Sequence, residues 1–310
     1  MRAKVYKSTG SWYTVKTEQG QTLLARMKGI FKIDGITSTN PIAVGDWVEL
    51  EEEDGGEEGG MMIKSIDERN NYINRQSPAN KYQHHIIAAN LDQSLLLATM
   101  KEPKTSQGFI DRFLVAGEAF HIPSVIVFNK SDIYKKKEME GFEARKQMYE
   151  TAGYKVILMS LENKTGMEEI EAILLGKTSL LSGHSGVGKS TFINTVVPGR
   201  ELKTQGVSGS SGKGLHTTTF AEMYDLPSLN AYIIDTPGIR EFVLVDIPKQ
   251  ELSHYFPEMR SRLQDCQFNN CLHINEPGCA IKKALQEGKL SLDRYISYGM
   301  MLESIEEKNY

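Results

Sequence analysis

Residues 183–190 read GHSGVGKS, which fits G-x-x-x-x-G-K-[ST] without a mismatch. The run follows the apolar stretch TSLLS and opens the helix-like segment TFINTVV, the strand–loop–helix context such a loop needs. Glycines at 183, 186 and 188 allow backbone N–H groups to converge on phosphate oxygens. The binding stretch is therefore expected to comprise Gly183, His184, Ser185, Gly186, Val187, Gly188, Lys189, Ser190 and Thr191. Lys189 supplies positive charge to the β and γ phosphates, in binding and in catalysis, and the Ser190 hydroxyl can ligate Mg²⁺.

The rest of the chain divides around this loop. From about 85 to 240, apolar runs (SLLLAT, PSVIVF, KVILM, SLLSG, AYIID) alternate with helix-length segments near 108–120, 136–152, 166–175 and 189–197. Such alternation specifies an α/β domain with a mainly parallel sheet, its ligand outside the carboxyl ends of the strands. Ahead of it lie short β-type runs punctuated by Gly10, Gly20, Gly29, Gly35 and Gly45, the spacing of a small all-β barrel or sandwich. After about 245 the chain becomes cysteine-containing and then helical, with AIKKALQEGK and LDRYISYGMMLESIEE as amphipathic candidates. The expected domains are 1–72, 73–245 and 246–310.

Two further loops complete a nucleotide site. FNKSD at 128–132 follows the strand PSVIVF, and Asp132 could accept from guanine N1–H and the exocyclic amine together. Adenine lacks that donor pair, so the loop favours GTP; Asn129 and Lys130 would order and stack the base-binding loop. After KVIL, Ser160 and the Leu161 backbone could support the guanine carbonyl. DTPG at 235–238 places Asp235 to hold Mg²⁺ and the Gly238 N–H to sense the γ-phosphate. In the glycine- and serine-rich stretch before 220, HTTT supplies Thr218 to close over Mg²⁺ and the γ-phosphate, as a switch segment would. Ile239 occupies the position where Ras-type enzymes carry a water-orienting glutamine, so turnover should be slow and His216 is the candidate to position the water.

The base loop and its supporting loop precede the phosphate loop, the threonine loop and DTPG. That is a rotated chain order, which circular permutation permits. Together with NKSD, GHSGVGKS, GKGLHTTT, DTPG and the clustered cysteines, the order resembles the circularly permuted ribosome-assembly GTPases of the RsgA (YjeQ) type over essentially the whole chain. The resemblance implies an N-terminal OB-fold barrel, a permuted GTPase domain and a mainly helical zinc-binding C-terminal domain. It also implies late action on the small ribosomal subunit and its rRNA, and it supports the role of His216.

All three cysteines fall within fourteen residues, as Cys266, Cys271, His273 and Cys279 in the pattern C-x₄-C-x-H-x₅-C. Three soft thiolates and one imidazole suit one tetrahedral Zn²⁺ with no open position, hence a structural site. The resemblance assigns zinc to the same four residues.

Net charge is −4, from 36 basic and 40 acidic residues, which taken whole argues against nucleic acid. Divided by segment, residues 1–45 hold seven bases against two acids, and 46–60 hold eight acids and no base. A basic leader with Trp12, Tyr13 and Phe31 could bind RNA by charge and stacking; core packing accounts for the rings equally well. The acidic run reads as a solvated hairpin tip. The longest apolar stretches fall far short of the ~20 residues a membrane span requires, and no signal-peptide core is visible. A soluble, cytoplasmic, monomeric protein is expected. Two functions stay open: a GTPase that leaves the small subunit after hydrolysis, or an RNA-binding assembly scaffold with a regulatory, barely hydrolytic GTP site. A GTPase with a non-ribosomal target fits the nucleotide motifs alone.

Overall fold

The chain is seen here in a computed structural model, and the structure describes residues 1–27, 41–52, 60–76, 84–200, 221–236 and 247–305. The expectations for Phe31, His216, Thr218, Gly238 and Ile239, and for most of the acidic tip, lie outside the described residues. The N-terminal part contributes β1 (Arg2–Ser8), β2 (Trp12–Thr17), β3 (Thr22–Met27), β4 (Trp47–Glu52) and β5 (Met61–Ile66). Period-two alternation sends Ala3, Val5, Tyr13, Val15, Ala25, Val48, Leu50 and Ile63 into one core. Because β1 pairs with both β2 and β4, while β3 runs parallel to β5, the strands close in the order β1-β2-β3-β5-β4. This is the five-stranded barrel order of an OB-like fold. Tyr13 is 1% exposed and belongs to the barrel core, so it is no stacking platform, whereas Trp12 is 48% exposed.

A hairpin of β6 (Tyr72–Gln76) and β7 (His84–Ala89) leads into the central sheet. That sheet is built from β8 (Gln93–Ala98), β9 (Ser124–Phe128), β10 (Lys155–Leu158), β11 (Thr178–Ser182), β12 (Glu222–Leu226) and β13 (Ala231–Asp235). Its spatial order is β10-β9-β8-β11-β13-β12, parallel except for β12, and β1 of the barrel pairs onto β12 at Lys7–Glu222. The apolar strands are buried on both faces, as a parallel sheet requires. Helices α1 (Gln107–Ala119) and α2 (Lys136–Thr151) cover one face through Phe109, Ile110, Phe113, Phe142 and Tyr149. The other face is covered by α3 (Met167–Leu174) and α4 (Lys189–Val196), through Ile170, Leu174, Phe192 and Ile193.

The C-terminal part holds α5 (Pro257–Arg260), α6 (Ala280–Gln286) and α7 (Leu292–Ser304) around a smaller core. That core includes Phe256, Met259, Ile281, Tyr298 and Met301 and borrows Val115 from α1. Helix α1 is thus shared between the central sheet and the C-terminal part.

Candidate functional site

Parallel strands deliver four of the sequence motifs to one edge of the sheet. The base loop follows β9, its supporting loop β10, the phosphate loop β11, and Asp235 ends β13. At that edge Asn129 is buried, and its Nδ2 donates to Val187 O at 2.9 Å, clasping the base loop to the phosphate loop. Gly188 makes the clasp possible. Its φ is +103°, and a Cβ there would lie 2.4 Å from Asn129 Nδ2. Leu161 stands on the same spot, its Cδ1 3.7 Å from that Cβ position.

The two base-side loops are locked to each other. Ser160 Oγ donates to Asp132 Oδ1 at 2.5 Å, and Ser131 N–H donates to Met159 O at 3.1 Å. Lys130 adopts a left-handed φ of 65°, and its Nζ donates to Glu102 O at 2.5 Å. The spacing that suggested a guanine loop therefore brings Asn129, Lys130, Asp132, Ser160 and Leu161 together beside the phosphate loop.

On the phosphate side, Lys189 Nζ donates to Gly183 O at 2.6 Å and His184 O at 2.8 Å. Burial pulls the Lys189 pKa down, and the Asp235 carboxylate opposes that shift. Asp235 lies next to Leu181 in the parallel register, and its buried Oδ1 has no hydrogen-bond partner among the described residues. Ser182 Oγ is similarly orphaned. Buried polar atoms are normally satisfied, so orphans beside a lysine at a strand end fit a bound cation and phosphate. Ser190 and Asp235 could hold Mg²⁺ there. His184 stacks on Phe109 of α1, ring centroids 3.7 Å apart, and burial together with Lys189 lowers its pKa.

Burial pushes the Asp235 carboxyl up to about 6, against the pull of Lys189. A raised acid favours the folded chain at low pH; that contribution is full below the unfolded pKa of about 3.9 and is lost as pH rises through about 6. Cation binding needs the ionised form. Mg²⁺ affinity is therefore expected to weaken by up to about tenfold per pH unit below about pH 6, and Asp235→Asn to be weak at every pH. Calorimetric Mg²⁺ titrations of the nucleotide-loaded chain between pH 5 and 7.5 check this; a flat wild-type profile counts against Asp235 as a ligand.

In the C-terminal part, ligand atoms of Cys266, Cys271, His273 and Cys279 all lie within 4.8 Å of one another. His273 Nδ1 is 3.7 Å from Cys266 Sγ and 3.4 Å from Cys279 Sγ. Tetrahedral Zn²⁺ with bonds of about 2.0–2.3 Å needs ligand separations of roughly 3.5–3.8 Å, so the cluster fits. Burial lowers the His273 pKa, which keeps the imidazole neutral and its lone pair available. Sequence spacing missed Glu276. Its carboxylate accepts from the N–H groups of Leu272, Ile274 and Asn275 at 2.8–3.0 Å. Burial alone would raise its pKa, but these donors outweigh burial and hold it below the usual range. Tyr295 and Tyr298 hydroxyls donate to the carbonyls of His273 and Leu272, tying the ligand loop to α7.

Comparison with known proteins agrees with this geometry. A family model described as the RsgA N-terminal domain matches residues 3–60, and one described as RsgA GTPase matches 66–245. A relative from Christiangramia forsetii, named small ribosomal subunit biogenesis GTPase RsgA, is 51% identical over 310 residues, covering 100% of this chain and 98% of its own. One of the same name from Bacteroides fragilis is 46% identical, covering 100% and 99%. The crystal structure of YjeQ from Thermotoga maritima superposes with a TM-score of 0.77 at 31% identity, covering 98% of this chain and 97% of that one. YloQ, described as a circularly permuted GTPase, gives a TM-score of 0.73 at 28% identity, covering 100% and 96%. Base loop before phosphate loop along the chain, yet clasped together by Asn129 in space, is the arrangement a permuted GTPase requires, and this chain belongs to the RsgA GTPase family.

Proposed function

We propose that this chain is a GTP-hydrolysing assembly factor that acts late in small ribosomal subunit maturation, binds rRNA, and leaves after hydrolysis. The observation that carries the reading is the Asn129–Val187 clasp, in a chain whose full-length relatives bear the name small ribosomal subunit biogenesis GTPase. In this reading Asp132, held by Ser160, reads the guanine edge, with Asn129, Lys130 and Leu161 shaping the base site. Backbone N–H groups from Gly183 through Thr191 receive the phosphates. Lys189 turns from its loop carbonyls to the β and γ oxygens, where its charge offsets what develops in phosphoryl transfer. Mg²⁺ held by Ser190, Asp235 and Thr218 would neutralise charge on the same phosphates. Gly238 senses the γ-phosphate, and His216 positions the water. Zinc on Cys266, Cys271, His273 and Cys279 is structural.

Among the described residues, several bases of the leader are engaged within the chain. Arg2 pairs with Glu18 and Asp67, Lys7 with Glu222, and Lys16 with Asp225. Lys4 lies over the rings of Trp47 and Tyr232. Three of these bases, Lys4, Lys7 and Lys16, fasten the barrel to the central sheet, while Arg2 works within the barrel. We place the RNA contact on the outer face of β2 and β3, where exposed Trp12 lies beside its exposed cross-strand partner Arg26. We divide the chain into domains at 1–72, 73–245 and 246–310 and assign it to the cytoplasm as a monomer; no described helix is long and apolar enough to cross a membrane.

Phosphate release from GTP, measured with and without purified small subunits, tests the reading. Slow turnover alone and strong stimulation by subunits are expected, with His216→Ala losing the stimulation. No stimulation under conditions of demonstrated binding would favour a scaffold instead.

A further inference from the structure

Tyr134 stands two residues beyond Asp132, and no sequence motif singles it out. Its ring packs half-buried against the core beneath β9, and its hydroxyl sits between two loops of the nucleotide site. It donates to Asn129 O at 2.5 Å and accepts from Met100 N–H at 2.9 Å. Its own N–H donates to Ser131 O at 3.2 Å, closing the short turn that carries Asp132. Burial pushes the hydroxyl up to about 12, so it remains a donor through the working pH range.

We propose that Tyr134 is a positioning residue for guanine recognition, holding the Asn129 carbonyl so that the following turn presents Asp132 to the base. The inference rests on the reading above that Asp132 faces the base. Asn129 is pinned on three sides: its N–H by Ala98 O, its side-chain amide by Val187 O, and its carbonyl by Tyr134. Only the last of these fixes the peptide plane leading into Lys130, whose left-handed backbone starts the turn. The loop that supplies Met100 is itself anchored. Glu102 O accepts from Lys130 Nζ, and Thr105 O accepts from Arg145 at 3.1 Å. Pro103 lies 3.4 Å from the Cβ position of Gly186 in the phosphate loop. The hydroxyl thus bridges an anchored loop to the base loop, and removing it frees the Asn129 carbonyl that leads into the Asp132 turn, while the Ser160–Asp132 and Ser131–Met159 bonds remain.

Tyr134→Phe deletes the hydroxyl and keeps the ring, so the packing against the core is preserved. The measurement is the affinity of the full chain for GDP and for IDP, by competition with a fluorescent nucleotide. IDP lacks the exocyclic amine that Asp132 would read, so the GDP-to-IDP ratio reports the orientation of that carboxylate. The variant is expected to lose about fivefold to tenfold in GDP affinity, the size of one net hydrogen bond, and less in IDP affinity, where only the N1–H remains for Asp132 to read. The preference for GDP should narrow several-fold, with the thermal midpoint close to wild type. Unchanged GDP affinity, or equal losses for GDP and IDP, would overturn the positioning role. A wild-type chain that fails to prefer GDP over IDP would overturn the guanine reading itself and the positioning role with it. That outcome is distinguishable, because it is read before any substitution is made.

Discussion

A chelator strong enough to strip zinc is expected to unfold the segment 247–305 while the central sheet survives. Besides the metal cluster, the segment is held by one small apolar core and by the Arg294 ion set against α1. Its helices α5 and α6 are 4 and 7 residues long, below the length at which a helix is stable by itself. Cys271 and Cys279 are themselves part of its core, so four metal bonds would tie the ligand loop to the apolar packing of Phe256, Ile281 and Tyr298. Zinc binding contributes about 10–16 kcal/mol in small structural sites, as much as the whole stability of a typical domain. Burial pushes the Cys271 thiol up to about 12 in the metal-free cluster, so zinc must displace a tightly held proton. Retention should therefore weaken as pH falls. Hydrogen exchange after chelation, and in Cys279→Ser, should lose protection across 247–305 and keep it in β8, β9 and β11. Protection of 247–305 that persists without zinc would sink the assignment.

What was legible in the sequence was chemistry held by local backbone. The phosphate loop, the base loop and the Cys/His pattern each depend on residue types at fixed short spacing, and the structure brings each set together as expected. Helices α1 to α4 were legible because each follows an apolar strand at the length a crossover needs. Strand β1 was harder, since RAKVYKS alternates small and apolar residues with bases that look like a solvated face. Those bases are engaged: Lys7 meets Glu222, as Lys16 of β2 meets Asp225, more than 200 residues along the chain, a pairing no local pattern announces. Strand β12, EMYDL, was missed for a related reason. It is short and half-charged, and its place is set by pairing with β1 and β13 rather than by its own pattern. Tyr134 and Glu276 escaped because their roles consist of hydrogen bonds to backbone, to which residue identity is a weak guide.

Arg294 carries this point to its largest energetic consequence. In sequence it is one arginine of an amphipathic helix; in the structure it is 1% exposed. Its Nη1 donates to Asp111 Oδ1 at 2.7 Å, and its Nε and Nη2 donate to the two Glu258 oxygens at 2.7 and 3.2 Å. Burial would lower the Arg294 pKa, but Asp111 and Glu258 outweigh it, so the guanidinium stays charged. Tyr149 O–H also donates to Asp111 Oδ1, while Oδ2 has no partner among the described residues. Arg294→Met would therefore strand a fully buried carboxylate where α7 meets α1, and the expected loss is about 3–5 kcal/mol. Replacing the ion set together, as Arg294→Met with Asp111→Leu and Glu258→Gln, removes the stranded charges and should recover part of that loss, the Tyr149 O–H being left without its acceptor. Urea unfolding of the single and triple variants decides the matter. A single variant within about 1 kcal/mol of wild type would mean that the guanidinium is not what joins the two parts. The location of the damage also follows from the geometry. Helix α1 places Phe109 on His184 of the phosphate loop and Asp111 on Arg294, so exchange protection in the single variant should fall first in α7 and at the Asp111 end of α1.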